Sequence, residues 1–166
     1  MSRLAAIVGA LMVASIGVAQ AADPSLAEQA NATFLAANAK KPGVTVQPDG
    51  LQYRIIHPGF GKRPKASDMV TVNYKGMLIN GKVFDATEPG LPAQFQANKL
   101  IPGWTEALQL MREGDEWELV IPASLAYGSR GAGGGVIPPN QTLIFDLQLI
   151  SVSEPPKEPP HDDQSQ

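Results

Sequence analysis

Much of the middle of the chain alternates between hydrophobic and polar residues, the period-two pattern of half-buried β-strands. The alternation occurs in four segments, residues 51–57, 70–75, 116–121 and 143–150. In the last of them one face carries Leu143, Phe145, Leu147 and Leu149. Between two further apolar runs lies Asn80-Gly81, and both residues tolerate the positive φ of a tight hairpin turn. The pattern therefore predicts several strands, including one hairpin.

One segment, residues 101–115, has the periodicity of a helix instead. Its apolar residues recur at intervals of three and four, at Trp104, Ala107, Leu108 and Met111. Pro102 suits a first helical turn, and Gly114 is expected to end the helix. A single helix with an antiparallel sheet defines an α+β domain. The Trp104, Leu108 and Met111 face can be buried only against the sheet, which should wrap around the helix.

The two ends of the mature chain differ in composition from this middle part. Residues 25–40 are rich in alanine and carry a thin helical stripe of Leu26, Ala30, Phe34 and Ala37. They predict a short helix, within an arm and linker of residues 22–48, that lies on the domain or on a partner. Residues 153–166 are rich in proline and charge, and predict a disordered tail. Residues 49–152 remain as the folded domain.

The first 21 residues have the pattern of a secretory signal peptide. Arg3 precedes an uncharged apolar run at residues 4–18, and Ala19 and Ala21 occupy the positions minus three and minus one from the predicted cleavage site. A transmembrane anchor is the alternative, but the run is shorter than the ~20 residues that a bilayer requires. Cleavage near Ala21 leaves 166 minus 21, or 145, residues. We therefore expect a periplasmic or secreted protein with no membrane span.

Composition excludes several kinds of chemistry. The chain has no cysteine, which excludes disulfides and thiol redox chemistry. Its formal net charge is −3, and its basic residues form only two small groups, at residues 40–41 and 62–65. This argues against a nucleic-acid partner. No histidine pair or acidic cluster has the spacing of metal ligands, so neither a metal nor a cofactor is expected.

A glycine-rich segment, residues 125–140, requires a separate interpretation. A phosphate-binding loop would need a lysine followed by serine or threonine at a helix start, or a G-x-G-x-x-G spacing between a strand and a helix. The segment has neither, and Pro138-Pro139 follows Val136 and Ile137. It is predicted to be a long, ordered connection between strands, anchored by Tyr127 and by Val136-Ile137. Long loops with ordered ends usually form ligand-binding sites.

Four motifs together resemble one known family. They are VTVNYKGMLINGKVFDAT, LIPGWTEALQLM, WELVIPASLAYG and IPPNQTLIFDLQLI, and with their spacing they cover residues 50–151. This combination is similar to the FKBP-type peptidyl-prolyl cis-trans isomerases. The preceding FLAANAKKPGVTVQPDGLQY resembles the secreted bacterial branch that includes the macrophage infectivity potentiator type.

The resemblance implies a twisted antiparallel sheet around one short helix, with an apolar pocket for a proline ring between them. It implies a floor of Trp104, walls of Tyr74, Phe84 and Phe145, and a rim of Leu100, Ile101 and Ile137. The implied polar members are Asp85 and Tyr127, which with Phe84 would be the catalytic residues. The glycine-rich segment would be a flap over this pocket. Ala93 stands where many members have a bulkier side chain, which predicts one thinner wall.

The implied activity is isomerisation of X-Pro bonds in unfolded or extended polypeptides that contain proline. Macrolide inhibitors are further implied ligands, and the short arm favours a monomer over the dimers that long-stalked relatives form. Two alternatives stay open. The chain could be a non-catalytic periplasmic chaperone or peptide-binding module that uses the same pocket. From the residues alone, ordinary core is the favoured interpretation of Trp104 and the other aromatic residues, and Asp85 and Tyr127 could serve only their turns.

Overall fold

A computed structural model describes residues 22–155; the predicted signal peptide and residues 156–166 of the predicted tail lie outside the described residues. The two α-helices of this part are α1, Glu28–Asn38, and α2, Pro102–Leu110. Its seven strands are β1, Val44–Val46; β2, Gln52–His57; β3, Met69–Leu78; β4, Val83–Ala86; β5, Ala93–Gln96; β6, Glu116–Ile121; and β7, Leu143–Ser153. No helix among these residues is long and apolar enough to cross a membrane.

All neighbouring strands pair antiparallel in a single sheet. The order is β1-β2-β6-β7-β3-β4, and β5 pairs with the first half of β3. The longest pairing joins β3 to β7 and runs from Leu78 opposite Leu143 to Met69 opposite Ser153. The predicted inner face of β7, Leu143 with Phe145, Leu147 and Leu149, is buried. The predicted α+β class, a twisted antiparallel sheet around one short helix, is confirmed.

Helix α2 packs its predicted face against the sheet. Trp104 and Leu108 are buried, and Met111, the first residue beyond the helix, is fully buried. The helix ends at Leu110, earlier than the predicted stop at Gly114. The Asp115 carboxylate accepts a hydrogen bond from the Arg112 backbone N–H at 2.6 Å and so stabilises a separate turn after the helix.

The predicted hairpin lies between β3 and β4. Gly81 has a φ of 84°, and its N–H donates to the Leu78 carbonyl at 2.9 Å, as the Asn80-Gly81 turn requires. Two strands have no counterpart in the sequence prediction, β1 and β5. Their three and four residues are too short for an alternation to be distinguished from chance.

Helix α1 confirms the predicted helix in the arm, but its buried residues are not those of the predicted apolar stripe. The buried side chains are Asn31 and Asn38, whereas Ala37 of the stripe is exposed. The Asn38 Nδ2 donates to the Gln52 Oε1 at 2.9 Å, which fixes the helix to β2. Of the two expected locations, the arm lies on the domain, held there by polar contacts and by Leu26 of the stripe, which is partly buried against the core.

Candidate functional site

An apolar cavity of about 630 Å³ opens between α2 and the sheet, beside the glycine-rich segment. Its lining contains all nine residues predicted for the site, which are Tyr74, Phe84, Asp85, Leu100, Ile101, Trp104, Tyr127, Ile137 and Phe145. These residues come from three strands, the start of α2 and the loop before β7. A cavity of this size is within the range of small-ligand sites.

The aromatic rings of the cavity pack edge to face. Trp104 is only 4 % exposed, and its ring centroid lies 5.2 Å from those of both Tyr74 and Phe145, at interplanar angles of 87° and 82°. Phe84 packs against Phe145 in the same way, at 5.6 Å and 88°. Each ring edge therefore meets the electron-rich face of a neighbour, a favourable geometry that fixes the walls.

A carboxylate is hydrogen-bonded to the wall. The Tyr74 hydroxyl donates to the Asp85 Oδ2 at 2.5 Å, across the pairing of β3 with β4. The Thr87 Oγ1 accepts from the Tyr74 backbone N–H at 3.0 Å and fixes the same end of the pair. Burial, and then the hydrogen bond and charge of Asp85, raise the pKa of Tyr74, which therefore stays a donor. Asp85 is thus positioned as an acceptor at the edge of an apolar box.

Tyr127 brings a second phenol to the cavity from the glycine-rich segment. Burial, and to a lesser extent the nearby charge of Asp85, raise the pKa of this tyrosine. Both effects disfavour the phenolate, so the hydroxyl remains a hydrogen-bond donor at neutral pH.

A backbone donor is available at the start of α2. Ile101 lines the cavity and is the residue immediately before the helix. Its carbonyl accepts from the Trp104 N–H at 3.0 Å, whereas its own N–H has no acceptor among residues 22–155. The first N–H groups of a helix have no partner within the helix and are therefore free to bind a ligand.

The glycine-rich segment is ordered by short turns and closes on itself. Ala132 and Ile137 exchange two backbone hydrogen bonds, at 2.9 and 3.1 Å. Gly131 has a φ of 65°, and any side chain there would collide with the Ile137 carbonyl, so the approach requires glycine. The predicted anchor at Val136-Ile137 is half right. Ile137 is buried, but Val136 is 39 % exposed because the turn directs it outward.

The cavity extends beyond the predicted site along β5. The additional lining residues are Met69, Gln94, Phe95, Gln96, Asn98 and Lys99. Phe95 packs edge to face on Trp104, at 6.0 Å and 86°. Phe95 lies two residues after Ala93 on β5 and adds an aromatic ring to this side of the cavity. In the sequence, only the polar residues on either side of Phe95 indicate that its side chain faces inward from a strand.

Ionisable groups elsewhere do not contribute to the cavity. Burial, followed by a hydrogen bond to Asp49, raises the pKa of Glu106 to about 7, but neither residue lines the cavity. Within residues 22–155 no group of three or more histidine, aspartate or glutamate side chains could hold a metal ion. Asp85 is the one carboxylate among the lining residues of the described chain.

A curled antiparallel sheet around one helix, with an aromatic cavity between them, defines an FKBP-like α+β domain. Two family models match the chain, "FKBP-type peptidyl-prolyl cis-trans isomerase" at residues 61–150 and "Domain amino terminal to FKBP-type peptidyl-prolyl isomerase" at residues 5–55. The chain belongs to the FKBP-type peptidyl-prolyl cis-trans isomerase family.

Curated relatives include the outer membrane protein MIP of Legionella longbeachae, 59% identical over 122 residues, which are 73% of this chain and 52% of that protein. The FKBP-type 22 kDa peptidyl-prolyl cis-trans isomerase of Escherichia coli is 51% identical over 120 residues, 72% of this chain and 58% of that protein. The chain thus spans little more than half the length of these relatives.

Solved structures agree with the fold. The crystal structure of FkpA from Escherichia coli matches with a TM-score of 0.74 at 45% identity, covering 78% of this chain and 60% of that one. A peptidyl-prolyl cis-trans isomerase from Pseudomonas syringae matches with a TM-score of 0.71 at 43% identity, covering 76% of this chain and 92% of that one. The predicted resemblance to the family, including the macrophage infectivity potentiator branch, is confirmed.

Proposed function

We propose that the chain is a peptidyl-prolyl cis-trans isomerase that accelerates rotation about X-Pro bonds in exported proteins as they fold. The observation that carries this proposal is the cavity, where five aromatic residues besides Tyr127 surround an apolar space beside one carboxylate and two hydrogen-bond donors. Family membership supports the same activity. A site for holding peptides alone would need only an exposed apolar groove and not this combination of groups.

The chemistry of the reaction suits such a cavity. Rotation about an X-Pro bond has a barrier of ~18 to 20 kcal/mol because the amide is a partial double bond, and no covalent bond breaks. The planar imide has a larger charge separation than the twisted one. Removing water therefore destabilises the planar ground state more than the twisted transition state, so an apolar box lowers the barrier.

Each polar group of the cavity has a role in this proposal. The Ile101 N–H and the Tyr127 hydroxyl donate to peptide carbonyls on either side of the proline and hold the chain while the bond turns. Asp85 orients the Tyr74 wall through their 2.5 Å hydrogen bond and presents a negative charge to the carbonyl carbon. Lowering the barrier by ~5 to 7 kcal/mol would accelerate rotation by roughly four to five powers of ten.

The proposal extends to the organisation of the chain. Residues 49–152 would form the isomerase domain, and residues 22–48 the arm and linker. Residues 1–21 would direct export to the periplasm or beyond it, a location consistent with the name of the Legionella relative, an outer membrane protein. The partners would be unfolded polypeptides that contain proline, and macrolides would compete for the same apolar cavity. The proposed oligomeric state is a monomer.

Refolding of a client protein tests the proposed function. A client with a slow, proline-limited phase normally refolds over tens to hundreds of seconds. We expect the chain, in about micromolar amounts, to accelerate that phase severalfold, because the isomerisation step limits it. For comparison, protection from aggregation is measured with this client and with a proline-free client. If the chain protects both clients from aggregation and accelerates neither, the non-catalytic chaperone is the correct assignment.

A further inference from the structure

The arm is hydrogen-bonded to the residues that directly follow the flap, residues 125–140. The Asn31 side chain of α1 is only 3 % exposed. Its Oδ1 accepts from the Thr142 backbone N–H at 2.8 Å, and its Nδ2 donates to the Gln141 Oε1 at 3.3 Å. Thr142 and Gln141 are the residues that join the flap to β7. A single side chain of the arm thus holds the C-terminal end of the flap.

Gln141 strengthens the same connection from the other side. Its Nε2 donates at 2.9 Å both to the Leu26 carbonyl in the arm and to the Pro139 carbonyl in the flap. Asn31 also donates to the Leu26 carbonyl, at 3.1 Å, so the three residues form a closed network. Gln141 and Thr142 are buried, and hydrogen bonds in such surroundings are costly to leave unmade.

The connection continues from the end of the flap to the cavity. The Asn140 N–H donates to the Gly128 carbonyl at 2.9 Å, so the two ends of the flap meet next to Tyr127. The paired Ala132 and Ile137 lie within the loop closed in this way. Tyr127 and Ile137 both line the cavity. Movement of the Asn31 anchor would therefore change the position of two residues that face the substrate.

A second asparagine of α1 provides a comparison. Asn38 is equally buried, two helical turns further along, but its Nδ2 donates to Gln52 of β2 and not to the flap. The arm is thus attached at two separate places, one on the sheet and one on the end of the flap.

We infer that Asn31 is a positioning residue for the flap, through which the arm sets how tightly Tyr127 and Ile137 hold a substrate. The expected effect of Asn31 on substrate binding rests on the proposed function. The expected effect of Asn31 on the position of the flap rests on the structure alone. Asn31 thus gives the arm a role at the cavity in addition to that of a tether. The arm forms no part of the cavity lining, so the effect is indirect.

The test compares Asn31→Leu with Asn38→Leu in the full chain, since both changes replace a buried asparagine of the same helix with leucine. For Asn31→Leu we expect hydrogen exchange at the Ala132 and Ile137 amides to become about fivefold faster, the effect of losing about one net hydrogen bond. We expect KM for a short X-Pro peptide to rise about fivefold with kcat within twofold, because binding contacts are weakened. Asn38→Leu should leave both quantities unchanged.

Thermal unfolding of the two variants serves as the control for stability, and assays are run well below both midpoints. Equal flap exchange in the two variants would overturn the inference whether or not the chain is an isomerase. Faster exchange in Asn31→Leu with unchanged kinetics would also overturn it, because the flap would then be loosened without effect on the substrate. If the wild-type chain shows no isomerase activity but flap exchange is still faster in Asn31→Leu than in the wild type, the proposed function is rejected and the link between Asn31 and the flap stands.

Discussion

Replacing Phe84 with alanine is expected to lower kcat/KM for a short X-Pro peptide by about two powers of ten, equivalent to about 2.7 kcal/mol. Burying one phenylalanine side chain is worth a similar amount, about 1.5 to 3 kcal/mol. The ring forms a wall of the cavity and packs edge to face on Phe145. Without it, water reaches the imide and the desolvation that favours the twisted bond is lost. The measurement is the rate of cis-to-trans conversion as enzyme concentration is varied.

Phe60→Ala is the matched control. Phe60 is 90 % exposed and does not line the cavity, so the same substitution there should leave kcat/KM within twofold. Similar losses in the two variants would mean that the effect of Phe84→Ala does not come from the cavity wall.

Gly76→Ala is expected to reduce both stability and activity. Gly76 lies in β3 between Asp85 of β4 and Phe145 of β7. A Cβ there would be 2.6 Å from the Phe84 Cζ and 2.7 Å from the Phe145 Cε1, so two walls of the cavity would have to move. Such overpacking typically costs about 1 to 3 kcal/mol. We expect that loss in urea unfolding, together with a fall in kcat/KM of at least about tenfold, since the displaced rings belong to the site.

Gly81→Ala is the control that separates the general loss of stability on replacing a glycine from the collision of the new Cβ at Gly76. Nothing lies within 4 Å of a Cβ at Gly81, and its φ of 84° accounts for any loss of stability. That variant should lose about 1 kcal/mol and keep its kinetics. If Gly76→Ala instead matches the wild type in both measurements, the aromatic walls are less closely packed than described.

The sequence is sufficient to predict the buried side chains where the hydrophobic pattern of an element coincides with its buried face. In β7 and α2 the alternation and the helical spacing select the side chains that are buried, because apolar burial dominates in both elements. The nine cavity residues were predicted from motifs of a known family. Their spacing alone could not have distinguished a cavity lining from a core, since Trp104 is both a cavity residue and 4 % exposed.

The predictions failed where polar contacts or tertiary pairing decide the structure. The arm buries Asn31 and Asn38 because their amides meet hydrogen-bond partners on the domain, and an apolar stripe carries no information about such partners. Strand β5 depends on pairing with β3, which is distant in sequence, so Phe95 was missed as a wall. The outward position of Val136 follows from turns at successive glycines.

The proposed catalytic role of the cavity is tested most directly by measuring the cis-trans conversion of a short X-Pro peptide with the wild-type chain and with Asp85→Ala. We expect the wild-type rate to rise linearly with enzyme concentration. Asp85→Ala should keep its fold by circular dichroism but lose at least about nine-tenths of kcat/KM, since Tyr74 loses its hydrogen-bond partner and the carbonyl carbon its nearby charge. A wild-type chain no faster than buffer, or equal rates in the two proteins, would contradict this role.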